Sequence, residues 1–163
     1  MTGPAELDAT LAVVAELLDR ELGSLAADVE ATPEALLWTA LPGVVNPMGT
    51  LALHLCGNLR HFIGALLGND GYVRDRVAEF ARRDASDDEL VAEITRTREA
   101  VAKALQGLDP DRLDQPMEGL PERYAGRSAR FFLIQLALHA AWHRGQGDYL
   151  RRTLVAMDQA EAV

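Results

Sequence analysis

Leu136-Ala137-Leu138-His139-Ala140-Ala141-Trp142-His143-Arg144-Gly145-Gln146 reads as part of a core helix. Its two histidines are four residues apart in an apolar run of helical character, so both imidazoles fall on one face, one turn apart. Leu136 lies a turn before them, and Gln146 and Leu150 follow a turn or two later, so that face is largely the core face. Such a pair can hold a metal ion, and a buried helix can also carry it as ordinary packing. The remaining chain has to supply the packing partners and any third ligand.

It supplies three more helices. Leu7, Leu11, Val14, Leu18, Leu22 and Leu25 recur at spacings of four and three and predict a helix over 4–26. A loop is expected over 28–46, with Thr32-Pro33-Glu34 starting a short turn and Trp38 and Leu41 lidding the core. Asn46-Pro47 reads as a cap followed by a first-turn proline, opening a helix over 47–67 with Met48, Leu51, Leu55, Leu59, Phe62 and Leu66 inward. Gly68 and Asn69-Asp70-Gly71 end it. A charged connection over 68–85 precedes Ser86-Asp87-Asp88-Glu89, a capping-box signature. The third helix buries Leu90, Ile94, Val101, Leu105 and Leu108 and stops at Asp109-Pro110. A loop over 109–127, with Pro116, Gly119, Pro121 and Gly126, leads to a last helix capped near Ser128 and running to about Met157. No repeat, low-complexity tract or strand stands out. The expectation is all-α: one domain over 1–163, built as a four-helix bundle whose long loops are able to cross over.

Composition narrows the function classes. Hydrophobic residues are 48% and charged residues 25%, as in ordinary globular chains. The net charge of -9 argues against nucleic acid, whose phosphates need a basic stripe. Arg74, Arg76, Arg82 and Arg83 alternate with Asp75, Glu79 and Asp84, which reads as a solvated, self-compensated segment rather than a set of substrate contacts. Cys56 is the only cysteine, so no intramolecular disulfide can form and a reducing compartment is the simpler context. Met1-Thr2-Gly3-Pro4, with Glu6 and Asp8 after it, lacks the basic start and apolar core of a signal peptide. The longest apolar stretch, 131–142, is too short to span a bilayer. These features lead to the expectation of a cytoplasmic protein with no membrane contact.

Two more histidines, His54 and His61, lie on the second helix. His54 is at the edge of its buried stripe, where it can face the last helix and complete an open three-histidine site, or remain a hydrogen-bonded core histidine. His61 is seven residues on, about 10 Å along the axis, and cannot share an ion with His54 without distortion; it reads as a pocket or surface residue. Ala140 stands where a zincin-type peptidase needs glutamate, so that reading is disfavoured. Asn58 and Gln146 are the candidate contacts to ligands or substrate, Cys56 is expected to be buried, and Trp142 is expected to pack. Gly145 and Gly147 cost about 1 kcal/mol each inside a helix, which calls for a close helix approach or room for a ligand.

Taken together, the chain resembles the DinB/YfiT-like family. The resemblance rests on the leucine-rich first helix, on Leu51-Ala52-Leu53-His54-Leu55 with Gly57-Asn58-Leu59-Arg60-His61-Phe62, and on His139-x-x-x-His143-Arg144-Gly145-Gln146. It implies a four-helix bundle in up-down-down-up order, a divalent metal on His54, His139 and His143 with zinc or nickel foremost, and a homodimer. Several members are transferases or isomerases that use a low-molecular-weight thiol such as mycothiol or bacillithiol as co-substrate. A metal-bound thiol loses its proton more easily, which suits such a site. The expected function is therefore a thiol S-transferase acting on a small molecule. A non-enzymatic dimeric metal-binding or stress module, or a metal-dependent hydrolase, are the alternatives.

Overall fold

The leucine stripe of the first helix runs a turn further than expected. In the computed structural model, which describes residues 8–161, α1 spans Ala9–Glu30. The expected start at Pro4, and Leu7, lie outside the described residues. Asp8 caps α1, its carboxylate accepting from the backbone N–H groups of Thr10 and Leu11. Leu11, Val14, Leu18, Leu22 and Leu25 are buried, and Val29 extends the same stripe by four residues. Asp28, expected in a loop, is therefore helical. A fully buried leucine contributes roughly 1.5–3 kcal/mol, well above an exposed ion pair, so the stripe decides where the helix ends.

α2 spans Met48–Leu59. Pro47 itself occupies the N-cap position and no side chain caps the helix, so Asn46 stands one residue too early for the role expected of it. Beyond Leu59 the chain continues as a π-helix over Arg60–Leu67, with Gly68 N–H donating to the Ile63 carbonyl at 2.9 Å. The wider turn brings Ile63 and Leu67 into the core and leaves Leu66 half-buried, where a straight α-helix would have buried it. The expected turn follows, with φ of 52° at Asn69 and 79° at Gly71.

The segment expected to be a charged loop contains a helix. α3 spans Arg76–Ala81, capped by Asp75, which accepts from the Ala78 N–H at 2.9 Å. α4 spans Asp87–Gln106 and has both halves of its capping box, Glu89 N–H to Ser86 Oγ at 3.2 Å and Ser86 N–H to Glu89 Oε2 at 3.0 Å. It ends before Gly107, although Leu108 stays buried. α5 spans Ala129–Glu161, four residues past the expected end. Short 3-10 turns occupy Glu34–Leu36, Pro110–Arg112 and Glu122–Tyr124. Among the described residues there is no strand, only an isolated bridge between Pro116 and Ser128, and no helix long and apolar enough to cross a membrane.

The chain is all-α. α1 packs against α4 and α5, and α2 packs against the same two helices, around one continuous core. Asp8, Glu21 and Asp28 meet Arg130, Arg144 and Arg151, in the same order along both segments. Between α2 and α5 the order is reversed: Met48 lies against Gly147, and His54 against His139. Trp38 is half-buried on the core and its Nε1 donates to the Ala85 carbonyl at 3.1 Å, tying the first loop to the approach of α4. Leu41 lines a surface cavity instead of lidding the core. Removing one half of the capping box by Ser86→Ala should lower the unfolding free energy by about 1 kcal/mol, read from urea denaturation followed by circular dichroism.

Candidate metal centre

α2 and α5 come close because Gly147 has no side chain. A Cβ there would meet the Met48 thioether at 3.2 Å. Six residues, nearly two turns, further along α2 is His54, and one turn before Gly147 on α5 is His143, with His139 a turn beyond. Their imidazoles converge: each offers one nitrogen, and these atoms lie within 4.8 Å of one another. Nε2 of His54 is 3.3 Å from Nε2 of His139, and ring centroids of His139 and His143 are 4.5 Å apart. His54 is 9% exposed and the other two are half-buried.

A carboxylate sets the tautomer of His54. Glu79 Oε2 lies 3.2 Å from Nδ1 of His54, and Arg74 clamps the same carboxylate through Nε to Oε1 at 2.6 Å and Nη2 to Oε2 at 2.7 Å. Burial alone would raise the Glu79 carboxyl, but hydrogen bonds from Arg74 and His54 outweigh it and hold it below the usual glutamate value. An ionised carboxylate only accepts, so its 3.2 Å contact, closer than the 3.4 Å approach of Arg74 Nη2 to the same nitrogen, favours the proton on Nδ1 of His54 and leaves Nε2 its lone pair. Gly57 makes room for this arrangement, since a Cβ there would collide with Glu79 Oε1. The expected solvated loop is thus corrected for Arg74 and Glu79, whose side chains are 12% and 6% exposed. It holds for Arg82, which pairs with Asp84 and Glu89 at the surface.

Gln146 does for His143 what Glu79 does for His54. Its Oε1 accepts from Nδ1 at 2.7 Å, leaving Nε2 of His143 bare. Burial and the neighbouring imidazoles push the His139 pKa down to about 4, and burial also lowers His143. Both rings are therefore neutral near pH 7. Two nitrogens on one tetrahedral zinc at about 2.05 Å are separated by roughly 3.3 Å, which matches the His54–His139 spacing of 3.3 Å. Neutral rings, outward-held protons and this spacing fit a divalent ion.

The other residues singled out by sequence stand apart from the cluster. His61 is half-buried with its ring edge-on to Phe62 at 4.8 Å, and burial followed by the charge of Arg74 lowers its pKa. Asn58 is buried, and its Oδ1 has no hydrogen-bond partner among the described residues. Cys56 is buried as expected. Trp142, expected to pack, is 69% exposed. Gly147 has the close helix approach that its position calls for, whereas a Cβ at Gly145 would meet nothing within 4 Å among the described residues. Sequence reading missed Glu79 and Arg74, although a glycine on the apolar second helix, three residues after His54, signalled that something approaches there.

The model of the mycothiol-S-transferase family matches residues 13–156. The chain belongs to this family. It is a DinB-like family, in agreement with the resemblance carried by the histidine motifs. A search of curated proteins gave no match. Among solved structures, the crystal structure of a conserved protein from Enterococcus faecalis is similar over 88% of this chain and 96% of its own, at 15% identity and a TM-score of 0.67. That likeness concerns the fold alone. For the cluster itself, long-range proton–nitrogen NMR correlations on metal-free protein should show His54 protonated at Nδ1 and bare at Nε2. Gly57→Ala, which drives Glu79 away, should abolish that preference while leaving the helical circular dichroism unchanged.

Proposed function

We propose that this chain is a metal-dependent S-transferase that joins a low-molecular-weight thiol, mycothiol by the name of its family, to a small electrophile. The observation that carries the proposal is the convergence of three imidazoles from α2 and α5 in a member of that family. His54, His139 and His143 would hold a divalent ion, zinc or nickel by the chemistry of their nitrogens. Bound there, the ion supplies Lewis acidity that turns a thiol into a thiolate near neutral pH.

The protein's own groups account for the rest. Glu79 and Gln146 orient two of the rings, and Arg74 keeps Glu79 ionised in its buried position. The sulfur comes from outside the chain, because burial pushes the thiol of Cys56 up to about 12 and removes it as a nucleophile. In the transfer a sulfur–carbon bond forms, the bond from that carbon to its leaving group breaks, and the thiol proton departs to water. No oxidant or reductant is needed.

We infer further that the four long helices form an up-down-down-up bundle in a single cytoplasmic domain. The matching order of contacts between α1 and α5 and the reversed order between α2 and α5 support that topology. The chain pairs with a second copy. Support comes from Val13, Ile134, Leu138 and Trp142, which leave 54%, 46%, 61% and 69% of their surface exposed on α1 and α5.

Tag-free protein should carry metal and accelerate adduct formation between mycothiol and monochlorobimane. His139→Ala should lose the metal and fall to the uncatalysed rate. Equal metal in both preparations would sink the ligand set, and ester turnover without thiol would favour hydrolysis instead. For the pairing, light scattering should give twice the 17.7 kDa chain mass for the wild type and the single chain mass for the Leu138→Asp, Trp142→Asp double variant.

A further inference from the structure

A cavity of about 480 Å³ lies between α5 and the loop over 41–46, and it shares Gln146 with the imidazole cluster. Leu41, Val44, Leu51, Gln146, Tyr149 and Leu150 are among the residues that line it. Leu51 is one turn before His54 on α2. Gln146 and Leu150 are one and two turns past His143 on α5. Among the described residues no charged side chain lines the cavity, although 25% of the chain is charged. The other side of the imidazoles is different, with the Arg74–Glu79 pair standing there.

Gln146 belongs to both places. Its Oε1 is taken up by Nδ1 of His143 at 2.7 Å, and the same side chain forms part of the cavity wall. With the oxygen occupied, the amide N–H groups remain as donors toward whatever fills the cavity. The roof is a tight turn in which Val44 N–H donates to the Leu41 carbonyl at 2.9 Å, with Gly43 at φ +81°. Val44, Val45 and Tyr149, near its rim, are 41%, 84% and 71% exposed. Covering such groups is favoured by apolar burial, whereas a charged ligand would lose its hydration with no countercharge among the described residues here.

We propose that this cavity is the acceptor subsite: it takes the apolar body of an uncharged electrophile, and the Gln146 amide aligns a polar atom of that molecule beside the imidazole cluster. This rests on the S-transferase reading. Thr153 and Val44 both line the cavity from exposed positions, so Thr153→Trp fills it and Val44→Asp charges it with little risk to folding.

Equilibrium dialysis of monochlorobimane, with no thiol present, reads the subsite without any turnover. Saturable binding to the metal-loaded wild type should weaken about tenfold in each variant, with metal content unchanged. In turnover, KM for chlorobimane should rise in both variants while KM for the thiol holds. No saturable binding to the wild type, or binding indifferent to both variants, overturns the subsite. If binding behaves as expected but no thiol is ever transferred, the subsite stands and the transferase reading falls. If transfer proceeds with KM for chlorobimane unmoved by either variant, the subsite falls and the transferase reading stands.

Discussion

A buried carboxylate governs the geometry of the centre. Glu79 is 6% exposed, and an ion so placed is costly unless paired and hydrogen-bonded on every side. Arg74 supplies two bonds and His54 a third. Removing one partner of such a pair costs about 3–5 kcal/mol, mostly through the orphaned charge. The cluster therefore persists as a unit or not at all. Its other requirements follow: a short helix to carry Glu79, an aspartate cap to start that helix, and a glycine on α2 to let the carboxylate in.

The same unit resolves a conflict within the histidine cluster. Three imidazoles in contact repel if they protonate, and two that face each other through nitrogen need an agreed placement of protons. Glu79 and Gln146 fix the outer proton of two rings, while burial keeps His139 neutral with a pKa of about 4. Packing of α2 on α5 through Gly147 and Met48 sets how far apart the rings stand. Backbone proximity and proton placement thus come from different residues, and both are required for three lone pairs to share one point.

Much of this was legible in the chain. Leucine stripes at helical spacing marked the four long helices, the box at Ser86 and Glu89 located the start of α4, and the spacing of His139 and His143 put two imidazoles on one face. What escaped reading lacks a period of its own. α3 has six residues, too few to show an apolar repeat, and its alternating charges resemble those of a solvated loop. The partnership of Glu79 with His54 spans 25 residues and follows no local pattern. Helix ends shifted because burial of Val29 outweighed local signals, and Trp142 escaped because its neighbours in sequence suggested a core that it does not join.

The π-helical segment that follows α2 divides the continuous helical run over 48–67 into two instruments. Each residue advances a helix by about 100°, so a wider turn after Leu59 rotates everything downstream relative to everything upstream. Upstream, His54 and Leu51 are aimed at α5; downstream, Ile63 and Leu67 are aimed at the core. The single helix acts as a shaft with an offset coupling.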